Sequence, residues 1–293
     1  MKLATIRRAG REEAAIVLST GVLPIAVLNA GLRQTWPDDL FSLIASCRLD
    51  DFNDWYRSGG REKCEALGGG VLPPSKVSYG PLYRHPRKIW GIGLNYVAHA
   101  ADLAEKAPNE EPASFMKPDT TIVGPGDEIL IPLQSAKTTG EAELGVVMGR
   151  ACKDVGEADW LRAVAGFTPI LDMTAEDILR KNPRYLTRSK SFDTFFSFGP
   201  HLVTPDEIPD VMKLPVATVI NGAVHAQNTV SNMTFPPPYL VAFHSRVMPW
   251  LPGDILSTGT PQAVALGDGD MLECRIDGFE PLRNPVRDLK ARR

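Results

Sequence analysis

A β-rich fold with few helices, preceded by a smaller N-terminal unit, is predicted by three observations. From Lys88 onward the chain breaks into short β-forming runs punctuated by Pro and Gly, helical periodicity is sparse, and residues 1 to about 75 read as hairpin, connection and helix. The division expected is 1–75 for a small N-terminal domain and 76–293 for the main domain, with Val71-Leu72-Pro73-Pro74 as the linker.

The first unit opens on two short apolar runs, 3–7 and 14–18, flanking Ala9-Gly10-Arg11, which is the pattern of a hairpin. Arg7 and Arg8 ahead of apolar residues loosely imitate a secretory signal, but Glu12, Glu13, Gly21 and Pro24 break the apolar block that a signal needs. Asp38 is the expected N-cap of a helix carrying Leu40, Leu43 and Ile44, and Gly68-Gly69-Gly70 closes the segment. In the larger part, strands are expected at 89–93, 128–131, 142–148, 217–220, 255–257 and 271–276, and helices at 96–105, 157–165, 174–180 and 239–248.

Composition narrows the function. The chain has 32 basic against 35 acidic residues and a net charge of −3, so no electrostatic feature favours nucleic acid or an anionic membrane. No uncharged apolar run reaches the roughly 18 residues of a spanning helix. Cys47, Cys64, Cys152 and Cys274 are widely separated and form no CxxC pair, which predicts reduced thiols in a cytoplasmic protein rather than a disulfide scaffold or zinc site. Small-molecule chemistry is the expectation that remains.

The most informative segment is Gly140-Glu141-Ala142-Glu143-Leu144. Residues two apart on a strand project from one face, so Glu141 and Glu143 set two carboxylates side by side. Two solvated glutamates at a strand end would be the bland alternative. Asp172 argues against it, because this carboxylate sits in the apolar run Gly166-Phe167-Thr168-Pro169-Ile170-Leu171-Asp172-Met173, where it would be costly to bury without a partner. Three carboxylates without a Cys or His cluster form an oxygen-only donor set suited to Mg2+, Mn2+ or Ca2+.

The order and spacing of several further fragments carry a resemblance. These are Gly93-Leu94-Asn95-Tyr96-Val97-Ala98-His99, Phe115-Met116-Lys117-Pro118, Glu141-Ala142-Glu143-Leu144, Gly166-Phe167-Thr168 with Asp172, Lys190-Ser191-Phe192-Asp193-Thr194-Phe195, Gly199-Pro200 and Thr258-Gly259-Thr260-Pro261. Together, over roughly residues 85 to 275, they resemble the fumarylacetoacetate hydrolase family and its acylpyruvate hydrolase-like branch. The resemblance implies an α+β fold whose main domain is a mixed β-roll, with a small N-terminal α+β domain, and commonly a homodimer.

It also implies roles. Glu141, Glu143 and Asp172 become metal ligands, and Lys190 the ammonium that stabilises developing enolate charge. His99 falls on the family's lid segment with Asp102 three positions on, a His-carboxylate dyad that can activate water. Thr260 is the substrate-binding candidate, with Lys117 and Gln227 behind it. Two departures stand out: the segment 221–229 is spaced differently from the family's pattern, and Glu176 stands where relatives usually present Arg. His201 and His225 are read as structural.

The expected function is thus metal-dependent hydrolysis of a C–C bond in a small 2,4-dioxo acid, acylpyruvate-like, with a 2,4-dioxo-3-deoxy sugar acid as one candidate. Decarboxylation or isomerisation of a 2-oxo acid through the same enolate is the alternative, and a non-catalytic metal-binding protein is the contrasting class. Retention of both His99 and Lys190 argues against the last.

Overall fold

The computed structural model describes residues 1–96 and 109–291. Its strands are β1 (Lys2–Arg8), β2 (Arg11–Leu18), β3 (Gly21–Pro24), β4 (Ile89–Gly93), β5 (Ala113–Lys117), β6 (Ile122–Val123), β7 (Ile129–Ile131), β8 (Thr138–Met148) and β9 (Val164–Ala175). They continue as β10 (Phe196–Phe198), β11 (His201–Val203), β12 (Pro215–Ile220), β13 (Ala223–Thr229), β14 (Ile255–Ser257), β15 (Val264–Ala265), β16 (Met271–Ile276) and β17 (Leu282–Asp288). The helices are short; the longest described is Pro237–Val247, of 11 residues.

The hairpin forms as the sequence predicts. Arg8 pairs with Arg11, leaving Ala9 and Gly10 as a two-residue loop with φ of 49° and 76°. Two positive φ values are what a loop matched to the strand twist requires. The next helix, Leu40–Ala45, is capped by Asp39 rather than Asp38: the Asp39 carboxylate accepts from the Ser42 N–H at 2.8 Å.

One sheet of 12 strands runs β3-β2-β1-β11-β9-β8-β14-β4-β5, with β6, β10 and β15 attached, and a second of five strands runs β13-β12-β16-β17-β7. Most neighbours are antiparallel, but β14 and β4, β10 and β6, and β17 and β7 are parallel, so the architecture is a mixed-sheet α+β fold. Through β1 and β11 the N-terminal strands continue the large sheet. No helix among the described residues is long and apolar enough to cross a membrane.

The paired strands β8 and β9 form the spine, and every residue of both is buried. One side of β8 sends Ala142, Leu144, Val146 and Met148 into a core shared with Val216, Leu272 and Cys274 of the second sheet. The other side contributes Val147, with Ile170 of β9, to a core that includes Leu3, Ile16 and Leu23 of the N-terminal strands. Burial on both faces removes the polar alternation that marks a half-exposed strand. That is why β9 was not legible as a strand: 157–165 was expected to be helical, whereas Glu157–Ala163 forms only 3-10 turns before β9 begins at Val164. The helix expected at 174–180 starts instead at Glu176, after Thr174 and Ala175 have completed β9.

Candidate active site

Antiparallel pairing sets Glu141 of β8 directly opposite Asp172 of β9, and Glu143 follows two residues along on the same face. One donor atom from each of the three carboxylates lies within 4.8 Å of the others. The residues are 6%, 1% and 0% exposed, which discards solvated glutamates as the explanation. Among the described residues this is the one group of three His, Cys, Asp or Glu side chains close enough to share an ion.

Two buried ammonium groups lie against the three carboxyl groups. Lys190 Nζ donates to Glu141 Oε2 at 2.8 Å and to Asp172 Oδ2 at 2.6 Å, and sits 4.7 Å from the centre of the Phe115 ring. Lys117 Nζ donates to the other Asp172 oxygen and to the Met173 carbonyl. Glu143 instead accepts neutral donors, the Ser257 hydroxyl at 2.5 Å and the Gly259 N–H at 2.8 Å, while the Thr174 hydroxyl donates to Glu141 at 2.6 Å.

The electrostatics follow from this crowding. Burial pushes the Glu143 carboxyl up to about 8, with the charges of Asp172 and Glu141 adding to the effect against Lys190. Burial works to lower Lys190, but Asp172, Glu141 and Glu143 hold it above the ordinary lysine value. Lys117 is lowered to about 8, because burial outweighs the attraction of Asp172 and Lys190 repels it. With Glu143 held protonated at neutral pH, two carboxylates face two ammoniums; a hard divalent cation, which an all-oxygen donor set of this kind fits, would draw the third carboxylate into its charged form.

A fixed loop completes the site. Asn95 donates to the carbonyls of Thr258 at 2.7 Å and Phe235 at 3.0 Å and accepts from the Phe235 N–H at 2.9 Å, tying three segments together. Gly259 has φ of 99°, and a Cβ there would stand 2.8 Å from Asn95 Cβ. Only glycine lets the loop pass this close while aiming its N–H at Glu143. At the end of β4, Leu94 adopts φ of 56°, a strained conformation for a branched side chain.

A pocket of about 180 Å³ opens onto this cluster, with Glu141 and Lys190 at its charged end and Thr139, Thr174, Glu176 and Thr260 among its other polar walls. The structure thus brings together five residues expected from sequence, Glu141, Glu143, Asp172, Lys190 and Lys117, and sets Thr260 in the wall of the same pocket. Thr260 is 2% exposed and its hydroxyl donates to the Gln262 carbonyl. Gln227 lies exposed on β13, at the edge of the second sheet and away from the lining residues. His99 and Asp102 lie outside the described residues.

Sequence reasoning did not single out Ser257, Gly259, Thr174 or Phe115. The available signal was spacing: Thr174 is two residues from Asp172 on one strand face, and Ser257-Thr258-Gly259 precedes the Thr260 already noted.

Comparison with known proteins agrees with this geometry. Residues 88–287 match the family model described as fumarylacetoacetate (FAA) hydrolase C-terminal. The chain is 42% identical over 200 residues to an uncharacterised protein of Archaeoglobus fulgidus, covering 68% of this chain and 78% of that one. It is 36% identical over 225 residues to the human mitochondrial oxaloacetate tautomerase FAHD2A, covering 74% and 71%. Its fold matches that of maleylpyruvate hydrolase from Sphingobium sp. SYK-6, solved with manganese(II) and pyruvate, at a TM-score of 0.78 with 26% identity over 98% of this chain and 99% of that one. With its carboxylate triad on paired strands and a family match over 88–287, the chain belongs to the fumarylacetoacetate hydrolase family.

Proposed function

We propose that this chain is a divalent-metal-dependent hydrolase that cleaves a C–C bond in a small, acylpyruvate-like 2,4-dioxo acid. The observation that carries the reading is the buried group Glu141, Glu143 and Asp172, with Lys190, at one end of a mostly apolar pocket. These three carboxylates would hold Mg2+ or Mn2+, which when bound supplies Lewis-acid polarisation of a 2-oxo acid's oxygens. Support comes from the structural relative solved with manganese and pyruvate.

The chain's own residues supply the rest. The Lys190 ammonium, held charged by its carboxylate neighbours, is positioned to stabilise negative charge that grows on the 2-oxo oxygen as the C3–C4 bond breaks. Thr260, in the pocket wall, would turn its hydroxyl from the Gln262 carbonyl to the substrate carboxylate. The apolar walls limit competing water. His99, with Asp102 as its carboxylate partner, would take the proton of the water that attacks the distal carbonyl and return it to C3 of the departing enolate.

A second reading is isomerisation or decarboxylation of a 2-oxo acid, and the name of the human relative favours keeping it. A cytoplasmic homodimer belongs to the same proposal, supported by family membership and four free cysteines. The decisive experiment assays 2,4-dioxo acids, oxaloacetate and 2-hydroxydienoates with Mg2+ or Mn2+, with and without EDTA, on wild type and His99→Ala. The hydrolase reading expects His99→Ala to lose C–C cleavage by about 10² to 10⁴-fold while oxaloacetate decarboxylation falls far less. Equal hydrolysis by both proteins would remove the water-activating dyad, and activity indifferent to EDTA would remove the metal.

A further inference from the structure

We propose that Glu176 makes this pocket select 2-oxo acids whose distal end is uncharged and apolar, and reject those ending in a second carboxylate. The inference rests on the reading of the site as a 2-oxo acid pocket.

The pocket is ordered along the strand pair. Glu141 opposite Asp172 forms its charged end, Thr139 opposite Thr174 forms the next rung on that face, and Glu176 follows just past the end of β9. Glu176 is four positions on from Asp172, roughly 13 Å on an extended strand. A substrate with its oxo acid head at the triad therefore runs its tail past the threonines toward Glu176. The remaining wall there is apolar, built by Leu94, Phe115, Leu179, Pro183, Leu186 and Ala263.

A terminal carboxylate would find no free donor on that path among the described residues. The Thr174 hydroxyl is committed to Glu141 and the Thr139 hydroxyl to the Thr174 carbonyl. Glu176 is 5% exposed, and its oxygens are held from behind by Arg180 Nε at 2.5 Å and Lys137 Nζ at 2.8 Å. Burial works to raise its pKa, but these two cations hold it below the usual carboxylate range, so it is ionised at neutral pH. Neither Lys137 nor Arg180 lines the pocket, and both are about half exposed. The carboxylate is the part of this ion-paired group that borders the pocket, while its two counter-ions are half exposed and screened by water, so a second carboxylate would meet Glu176 with no donor of its own to bind.

The test is calorimetric binding of 2-oxoheptanoate and of its diacid, 2-oxoheptanedioate, to Mn2+-loaded full-length protein. Wild type should bind the monoacid at least about tenfold more tightly. Glu176→Gln should shrink that ratio, and Lys137→Met, which strips a counter-charge from Glu176 on the solvent side, should enlarge it. Equal or tighter diacid binding by wild type, or ratios unchanged in both variants, would overturn the inference. Selective binding of the monoacid by a protein that leaves 2,4-dioxoheptanoate uncleaved would sink the hydrolase reading and leave Glu176's role standing. Failure to bind either acid would overturn both.

Discussion

Glu141 and Asp172 face each other across β8 and β9 and share a single ammonium, that of Lys190, at 2.8 and 2.6 Å. The arrangement makes a lysine the internal counter-ion of the carboxylate group, so the residues proposed to hold the metal and the residue proposed to stabilise the enolate form one electrostatic unit.

Removing a ligand should disable the unit. Glu141→Ala or Asp172→Ala takes one of three carboxylates and leaves a buried ammonium less compensated. We expect Mn2+ affinity to fall by about 10²-fold or more, measured by calorimetry, with loss of turnover. A metal-stripped Glu141→Ala protein with full activity would contradict the triad's role.

Removing the lysine should act differently. Lys190→Met deletes positive charge next to the carboxylates, so Mn2+ affinity should hold or rise while kcat falls by about 10²-fold or more, since its charge acts on the transition state. A parallel drop in affinity would assign Lys190 to site architecture instead.

Gly259→Ala places a methyl 2.8 Å from Asn95 Cβ at a φ of 99°. The strain and the disturbed Glu143 contact should cost about 1 to 3 kcal/mol, visible as a lower urea midpoint together with weakened metal binding. An unchanged midpoint would show that the loop relaxes freely.

Two buried histidines set an acid limit on stability. Burial lowers both His201 and His244 to about 4. Between that value and the ordinary 6.5 the unfolded chain binds more protons than the folded one, so their contribution is complete above about pH 6.5 and is lost as pH falls toward 4. At about 1.4 kcal/mol per pKa unit, the loss is roughly 3 kcal/mol per histidine. Urea midpoints measured from pH 7 to 4.5 should fall accordingly, and a His201→Gln, His244→Gln double variant should show a flatter profile.

Much of this was legible in the chain because its signals were local. Glu141 and Glu143 declared a shared face through a period of two, the buried setting of Asp172 demanded a partner, and the Ala9-Gly10 loop announced its hairpin. Strands β4, β14 and β16 were bounded by glycines, prolines and other turn residues and fell at the expected positions. What escaped depended on long-range pairing. No local pattern tells that Ser257 will meet Glu143, 114 residues away, or that Lys117 will meet Asp172. Nor does Glu176 reveal on its own that Lys137 and Arg180 will hold it from the outside while its carboxylate borders the pocket.

The all-buried pairing of β8 with β9 has a consequence for folding fidelity. A slip of one residue in β8 would swing Glu141 and Glu143 to the opposite side, among Val216, Leu272 and Cys274, while Asp172 stays behind with Lys190 and Lys117. Two unpaired carboxylates in an apolar interior cost far more than the slipped hydrogen bonds could return. The same groups that would bind the cation therefore act as a proofreading device, making the misaligned hairpin of the two longest strands a state the chain cannot occupy for long.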